Sequence, residues 1–365
     1  MLTVCKKDNC AGCMACVEIC PKNAIKIIDT IGEYNAVIDK EKCIDCDACR
    51  NVCQVNNPPK LQKCTYWKEG WAEDEAIRKS SSSGGFATAI IHAFLKGNGV
   101  VCSCRADKNG FGFAFADREE QYSEFSGSKY VKSNPSGIYK KIRKLLREGK
   151  KVLFIGLPCQ AAALKNFIGE NDNLYIADLI CHGSPSPKAL ERFLADYNIK
   201  LSDAESITFR TGNDFHIEKD GKRLMVLRDS YTRAFLEGGF YTENCYNCRY
   251  AALERVSDLT LGDSWGTELP NEEVTNGISL ALCQTEKGIE LLKNSNLKLL
   301  DTNLNKAVEY NHQLNHPSVR HSKRYKLISE LKKGTKFKTI TMKVFPKRYL
   351  KYFVYNSLNK IGIKK

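Results

Sequence analysis

Cys10-Ala11-Gly12-Cys13-Met14-Ala15-Cys16, closed by Cys20-Pro21, is followed by Cys43-Ile44-Asp45-Cys46-Asp47-Ala48-Cys49, closed by Cys53-Gln54. Both stretches read C-x2-C-x2-C-x3-C. Three thiolates two residues apart wrap one face of a metal-sulfur cube, and the fourth, on a short turn, leaves toward a second cube. Between the runs, Ala24 to Ile28 and Tyr34 to Ile38 alternate around a turn near Ile31-Gly32-Glu33, which predicts a two-stranded ribbon. A zinc site would want four ligands in two pairs, and eight cysteines repeated at one register are hard to explain as disulfides.

This is the spacing of bacterial ferredoxins with two 4Fe-4S clusters, in which the fourth cysteine of each run ligates the other run's cluster. The expected ligand sets are Cys10, Cys13, Cys16 and Cys53 for one cluster, and Cys43, Cys46, Cys49 and Cys20 for the other. Residues 1–57 then form a pseudo-twofold unit resembling a small bacterial-ferredoxin domain. Gln54 stands where the first run has Pro21, so a changed turn and a retained cluster are expected there.

A chain of 365 residues is too long for one small core, and two or three domains are expected. Its 17 cysteines are an odd number, the first ten residues are polar, and no apolar run approaches a membrane span. Disulfides are therefore not expected, and a reducing cytoplasm is the predicted location. The net charge of +14 is unevenly placed: residues 306–365 carry 16 Lys and Arg against Glu309 and Glu330, leaving the rest formally neutral. Basicity belongs to the tail and says little about a catalytic body.

After the break at Asn56-Asn57-Pro58-Pro59, residues 58–75 read as a linker carrying Cys64, Trp67 and Trp71. Next, Ser80-Ser81-Ser82-Ser83-Gly84-Gly85 opens a helix with apolar Phe86, Ala89, Ile90, Ala93 and Phe94, stopping at Gly97. Serines and paired glycines at a helix start leave backbone N–H groups open to an anion such as a cofactor phosphate. The same signature also serves as an N-cap after a flexible loop. Strands are expected at 100–104 and 111–116, then a polar turn at Ser126 to Tyr130 and a helix over 135–148. Strand-helix alternation follows at 151–156, 158–167, 174–180 and 187–197, implying parallel pairing. Later strands are expected at 206–210, 224–227, 258–261 and 278–283, with helices at 231–236 and 286–293. The predicted class is α+β or α/β: a small ferredoxin-like domain, then an α/β domain with a mostly parallel or mixed sheet.

A second set of cysteines falls at the ends of these elements. Cys159 begins a helix, Cys181 ends a strand, and Cys245 and Cys248 form a C-x2-C pair. Parallel strands deliver their C-terminal ends to one sheet edge, where cofactors bind in such folds, and four thiolates meeting there could hold a third 4Fe-4S cluster. Three other readings stand beside it: Cys159 as a lone nucleophilic thiol, Cys181 as a buried apolar residue, and the pair as half a zinc site. His182, beside Cys181, is a candidate proton donor near a redox centre or a hydrogen-bonded structural residue. Cys5, Cys64, Cys102, Cys104 and Cys283 read as structural.

Gly156-Leu157-Pro158-Cys159-Gln160, Asp178 to Ser186 around Cys181, Cys245-Tyr246-Asn247-Cys248, Ser257 to Gly266 and Ser279 to Gly288 together resemble the coenzyme F420 hydrogenase/dehydrogenase beta-subunit family. Ser82-Ser83-Gly84-Gly85 and Ser128-Lys129-Tyr130 look like its N-terminal part. The resemblance divides the main body into residues 76–150 and 151–300, with a basic tail over 301–365. It implies a flavin, usually FAD, fed by single electrons from iron-sulfur clusters and exchanging two electrons with F420 or another small organic molecule. Carried over, Ser82, Ser83, Gly84, Gly85 and Thr88 would lie at the flavin phosphates, with Ser128, Lys129, Tyr130 and Asp263 also in the cofactor site. Cys159, Cys181, Cys245 and Cys248 match recurring family cysteines. Leu157 stands where threonine is common and Ser264 where phenylalanine is common, so the flavin pocket is expected to differ there.

The rival function is an electron-transfer subunit without its own substrate, docking on a partner protein, with surface-polysaccharide biosynthesis as one setting, since the family also includes bacterial proteins from surface-polysaccharide loci. A third is a redox-sensing nucleic-acid binder using the tail, although clustered charge without a recognisable binding motif is weak ground for it. From Pro346, Leu350, Phe353, Val354, Leu358 and Ile361 fall on one helical face, ringed by Lys347, Arg348, Lys351 and Lys360. Such a helix suits an anionic membrane surface or an acidic protein, or covers the protein's own core. The expected partner of the body is a redox protein or a small electron carrier.

Overall fold

A computed structural model describes residues 2–225, 229–346 and 350. The two cysteine runs fold alike because their spacing demands the same sharp turns. Each enters the left-handed region twice, at Gly12 (φ 70°) and Met14 (φ 63°), and at Asp45 (φ 49°) and Asp47 (φ 52°). Each then forms a five-residue helix, Ala15–Ile19 or Ala48–Val52, ending on its last cysteine. Cys20 (φ −68°, ψ 117°) and Cys53 (φ −69°, ψ 117°) leave their helices in the same direction. The changed turn expected at Gln54 appears one step later: Asn23 N–H returns to the Cys20 carbonyl, whereas Asn57 N–H returns to that of Cys53, one residue further along. The ribbon is β1 (Ile25–Asp29) against β2 (Tyr34–Ile38), antiparallel, with Ile25 opposite Ile38.

The main sheet has eight strands. In chain order these are β3 (Tyr66–Ala72), β4 (Val100–Asp107), β5 (Gly110–Ala116), β6 (Val152–Gly156), β7 (Leu174–Leu179), β11 (Leu259–Asp263), β12 (Ser279–Cys283) and β13 (Leu297–Leu300). A separate three-stranded sheet joins β8 (Ile207–Thr211), β9 (Asp214–Lys219) and β10 (Lys222–Arg223). The main order is β13-β3-β12-β11-β7-β6-β4-β5. Its centre, β4, β6, β7 and β11, is parallel, and the remaining strands add antiparallel. The fold is thus the expected mixed α/β sheet behind a ferredoxin-like unit. Central strands are wholly apolar where both faces are covered: Val152, Leu153 and Phe154 are fully buried.

Two expectations fail. Residues 58–75 are not merely a linker, because Tyr66–Ala72 is β3, hydrogen-bonded between β12 and β13. Its aromatic residues Tyr66, Trp67 and Trp71 favour a strand, and the stretch becomes one by pairing on both edges. Nor is 301–365 simply a basic tail. Helices Leu304–Tyr310, Arg324–Lys332 and Phe337–Val344 are formed, with Leu327, Leu331, Phe337 and Ile340 fully buried beside Phe193, Tyr231 and Phe240. Leu224 and Met225 lie outside any strand; the rest of the strand expected there, and all but Pro346 and Leu350 of the amphipathic helix, fall outside the described residues.

One anchor of the cluster domain is a buried carboxylate. Glu18 Oε1 accepts from Gly137 N–H (2.6 Å) and its Oε2 from Lys140 N–H (3.1 Å), capping helix Ile138–Arg147 from another part of the chain. This bond fixes the first cysteine run against the α/β domain.

Candidate cofactor sites

Folding brings the eight N-terminal cysteines into the two sets that the spacing implies. Cys10, Cys13, Cys16 and Cys53 line one small cavity, and Cys20, Cys43, Cys46 and Cys49 another. Backbone N–H groups point at the sulfurs: Gly12 at Cys10 (3.4 Å), Ala24 at Cys20 (3.3 Å) and Asp45 at Cys43 (3.4 Å). Such donors stabilise thiolates. Burial pushes the Cys13 and Cys16 thiols up, so without a bound cation these sulfurs would stay protonated. Among the described residues no group of three or more His, Cys, Asp or Glu gathers around a single metal ion. The donor chemistry, four cysteines lining each small cavity with no grouping for a single ion, fits a 4Fe-4S cluster at each site.

Cys5, read from sequence as structural, lines the first cavity as well. The neighbouring Cys5 thiol holds Cys10 below the usual thiol range and Cys53 down to about 6 by offering a hydrogen bond to the thiolate form. Nothing in its spacing marks it. It comes close because Val4 N–H bonds to the Ala36 carbonyl, laying the N-terminus along β2.

Cys159, Cys181, Cys245 and Cys248 are also brought together. Burial pushes the Cys181 thiol up, and Cys245, Cys159 and Cys248 add to the effect. Cys159 is pushed up to about 12 by burial, opposed by the charge of Lys132. The helix Pro158–Ile168, the end of β7 and the turn Glu243–Asn247 each supply part of the set. Two tyrosines join this set to the first. The Tyr139 hydroxyl donates to the Cys13 carbonyl, and after burial its phenol is most affected by Cys13, Glu18, Cys159 and Cys16. Tyr250 is raised by burial and then by Cys159, Cys248 and Cys13, while its hydroxyl donates to Gln54 Oε1 (2.6 Å). Gln54 thus gives the second run a polar bond to the α/β domain that proline could not make.

Cys181 and His182 also line a cavity of about 520 Å³ at the C-terminal ends of the parallel strands. Ser82, Ser83, Gly85, Thr88, Ser128, Lys129, Tyr130 and Asp263 all line it; Gly84 does not. Gly84 is needed for a close approach, since a Cβ there would stand 2.3 Å from the Gly70 carbonyl oxygen. The N-terminus of helix Phe86–Lys96 opens on the cavity through Phe86, Ala87 and Thr88. Across it, Ser82 Oγ accepts from Ser128 N–H (2.9 Å), tying the two polar loops together. Lys129 Nζ is held by the carbonyls of Phe125 (2.7 Å) and Ser126 (2.9 Å), and burial lowers its pKa. An anionic, elongated ligand with an apolar end fits this wall of hydroxyls, helix N–H groups and a lysine.

Arg210 goes unmarked in the sequence. It leaves β8, a strand of the smaller sheet, and its Nη1 meets Asp263 Oδ2 at 2.5 Å, below the rings of Phe215 and Trp265. No local pattern distinguishes it; only the second sheet carries it to the cavity. Leu157 lines the cavity, but Ser264 does not: its hydroxyl donates to buried Glu69. His182 takes the Gln313 amide N–H on Nδ1 (2.5 Å), so its own proton sits on Nε2. The same amide group serves His312 Nε2 (2.8 Å). Burial lowers the His182 pKa to about 4.

The geometry defines an iron-sulfur protein with a cofactor-sized cavity, and comparison with known proteins agrees. Residues 9–57 match the 4Fe-4S dicluster domain, and residues 149–303 match the family described as the C terminus of the coenzyme F420 hydrogenase/dehydrogenase beta subunit. The chain therefore joins a dicluster domain to the carboxy-terminal domain of this oxidoreductase family, as the motifs implied. The serine-glycine loop lies outside both matched stretches. Among solved structures, a chain of the xenon-derivatised F420-reducing [NiFe] hydrogenase complex from Methanosarcina barkeri is similar at 17% identity and a TM-score of 0.48, covering 71% of this chain and 97% of that one. No curated protein matches. No helix among the described residues is long and apolar enough to cross a membrane.

Proposed function

We propose that this protein is an iron-sulfur flavoprotein oxidoreductase in which electrons pass between the N-terminal clusters and FAD, with coenzyme F420 or another small organic molecule as the two-electron partner. The observation that carries this reading is a shared wall. Cys181 belongs both to the third cysteine set and to the lining of the large cavity, while Tyr139 and Tyr250 sit beside both Cys13 and Cys159. Cys10, Cys13, Cys16, Cys53, then Cys43, Cys46, Cys49, Cys20, then Cys159, Cys181, Cys245 and Cys248 would hold three 4Fe-4S clusters. When bound, the clusters supply one-electron steps and the flavin joins them to a two-electron exchange.

The protein's part is positioning. Ser82, Ser83, Gly85, Thr88, Ser128 and Lys129 would bind the phosphates, and Tyr130 and Asp263 the rest of the flavin. Asp263 keeps Arg210 pointed into the cavity, and Phe113, Phe125 and Leu157 exclude water from its apolar side. His182 offers an Nε2–H donor at the end next to Cys181. Exposed Cys46 makes the outer site the natural entry for a redox partner protein.

Iron, sulfide and flavin assays on protein purified without oxygen test this. About twelve irons and one flavin per chain are expected, from three four-iron clusters. About eight irons without flavin would overturn it and favour an electron-transfer subunit that docks on a partner.

A further inference from the structure

Lys132 is 4% exposed, yet no carboxylate among the described residues lies within 4.0 Å of its ammonium. Its Nζ donates to the Ala11 carbonyl (3.0 Å), between Cys10 and Cys13, and stands 5.2 Å from the centre of the Tyr34 ring. Its backbone N–H bonds to the Pro185 carbonyl (2.8 Å), in the loop that follows Cys181. An ammonium is rarely left in such a place without negative charge to meet it, because desolvation is costly. The negative charge at hand is sulfur: the field of Lys132 reaches Cys10 on one side and Cys159 on the other. Four thiolates around a 4Fe-4S core make an anion in either redox state, so a cation between two of them is compensated by both.

The outer set has no such buried cation among the described residues. Asp45 and Asp47 flank Cys46, while Lys22 and Arg50 line the same cavity near solvent and Arg50 is paired with Asp47 at 3.2 Å. A buried positive charge favours the more reduced form of a nearby cluster, and acidic neighbours disfavour it.

Resting on the cluster assignment above, we propose that Lys132 raises the reduction potentials of the two inner clusters together, the Cys10 set and the Cys159 set, above that of the outer one. Electrons entering at the surface would then be drawn inward past the first domain boundary. Gly12 marks how closely the lysine is held: a Cβ there would stand 3.3 Å from Lys132 Cδ.

The test is potentiometric titration followed by electron paramagnetic resonance, on full-length protein and the variants Lys132→Met, Lys132→Gln and Lys132→Arg, with iron counted for each. In the Met and Gln variants the reduced-to-oxidised ratio of both inner clusters at a fixed potential should fall on the order of tenfold. For a one-electron couple that is about 59 mV. The outer cluster should move much less, and Arg should restore the inner values. Inner potentials unchanged in a fully loaded Met variant, or an equal shift of all clusters, would overturn the proposal. Should Met and Gln lose inner iron while Arg keeps it, the charge itself is what the inner sites require, in its favour. Loss of iron in all three would mean that shape matters and the proposal fails. Iron in the unsubstituted protein judges the relay separately: if the Cys159 set proves empty, the relay reading fails while the Cys10 cluster still decides the role of Lys132.

Discussion

The two cysteine runs have the same backbone and opposite surroundings. Their closing cysteines differ by one degree in φ and not at all in ψ. Yet Cys10, Cys13, Cys16 and Cys53 are all buried, whereas Cys46 is exposed and its companions are only partly covered. Ligand spacing dictates the local path, because four sulfurs must reach one cube. What covers the path is decided elsewhere, by Glu18, Tyr139, Tyr250 and Lys132 reaching across from or to the α/β domain. The repeat is symmetric as chemistry and polar as a device: one end faces solvent and the other faces the cavity.

The sharpest test is to remove one ligand from each end. Cys13→Ser and Cys46→Ser should each lose about four irons, one cluster's worth. Only Cys13→Ser should also unfold the domain boundary, since its sulfur is buried among Tyr139 and the core. Loss of a cluster destabilises both variants, and the inner variant should lose several kcal/mol more because its sulfur is also part of the packed core. Iron content with anaerobic thermal unfolding reads both. Equal destabilisation would mean that the two ends are not distinct.

Next in size is selective loss. A chelator with mild oxidant should strip the outer site first, because Cys46 is exposed, whereas Cys10, Cys13, Cys16 and Cys53 are buried and the Cys159 set is only partly covered. Iron release should be biphasic, with the first phase about one third of the total if three clusters are present. Release in a single phase would contradict the difference in burial.

What is readable in the sequence follows the same division. The cysteine spacing, the ribbon and most strands of the parallel centre can be read locally, because ligand geometry and apolar runs are local signals. The serine-glycine loop and Ser128 to Tyr130 are placed together only by resemblance, and the structure does bring them to one cavity. Arg210, Cys5 and Lys132 escape a sequence reading: each reaches its site through a contact far along the chain, on an element whose own sequence says nothing of it. β3 reads as a linker because seven residues after a Pro-Pro break look like a connector until β12 and β13 exist to pair with them. The helices after 301 are hidden by their charge: Arg324 is fully buried, its guanidinium donating to the carbonyls of Gly32 (2.8 Å) and Tyr241 (2.9 Å).

Gln54 offers a smaller and more specific probe. It occupies the place of Pro21, and its side chain accepts the Tyr250 hydroxyl in a buried setting. Gln54→Leu should cost about 1–3 kcal/mol by leaving that hydroxyl unpaired, with eight N-terminal thiols and their iron retained. Pro21→Gln should cost much less, since nothing waits there to bond with it. If Gln54→Leu were neutral, the closing residue of the second run would be no more tied to the α/β domain than that of the first.

The smallest expected effect lies at the residue after the first ligand of each run. Ile44 follows Cys43 and is 56% exposed. Ile44→Gln should leave stability within about 0.5 kcal/mol and iron unchanged. It should slow reduction by a donor protein a few-fold while leaving reduction by dithionite as it was, because only a protein donor has a surface to lose there. Ala11 follows Cys10 in the other run and is buried, with its carbonyl held by Lys132. Ala11→Gln should have the reverse signature: a less stable protein, since the larger side chain has no room beneath Tyr34 and Lys132, with protein-donor and dithionite reduction affected alike. A slower protein donor in both variants would place entry at the inner run too, and the direction assigned to the module would be wrong.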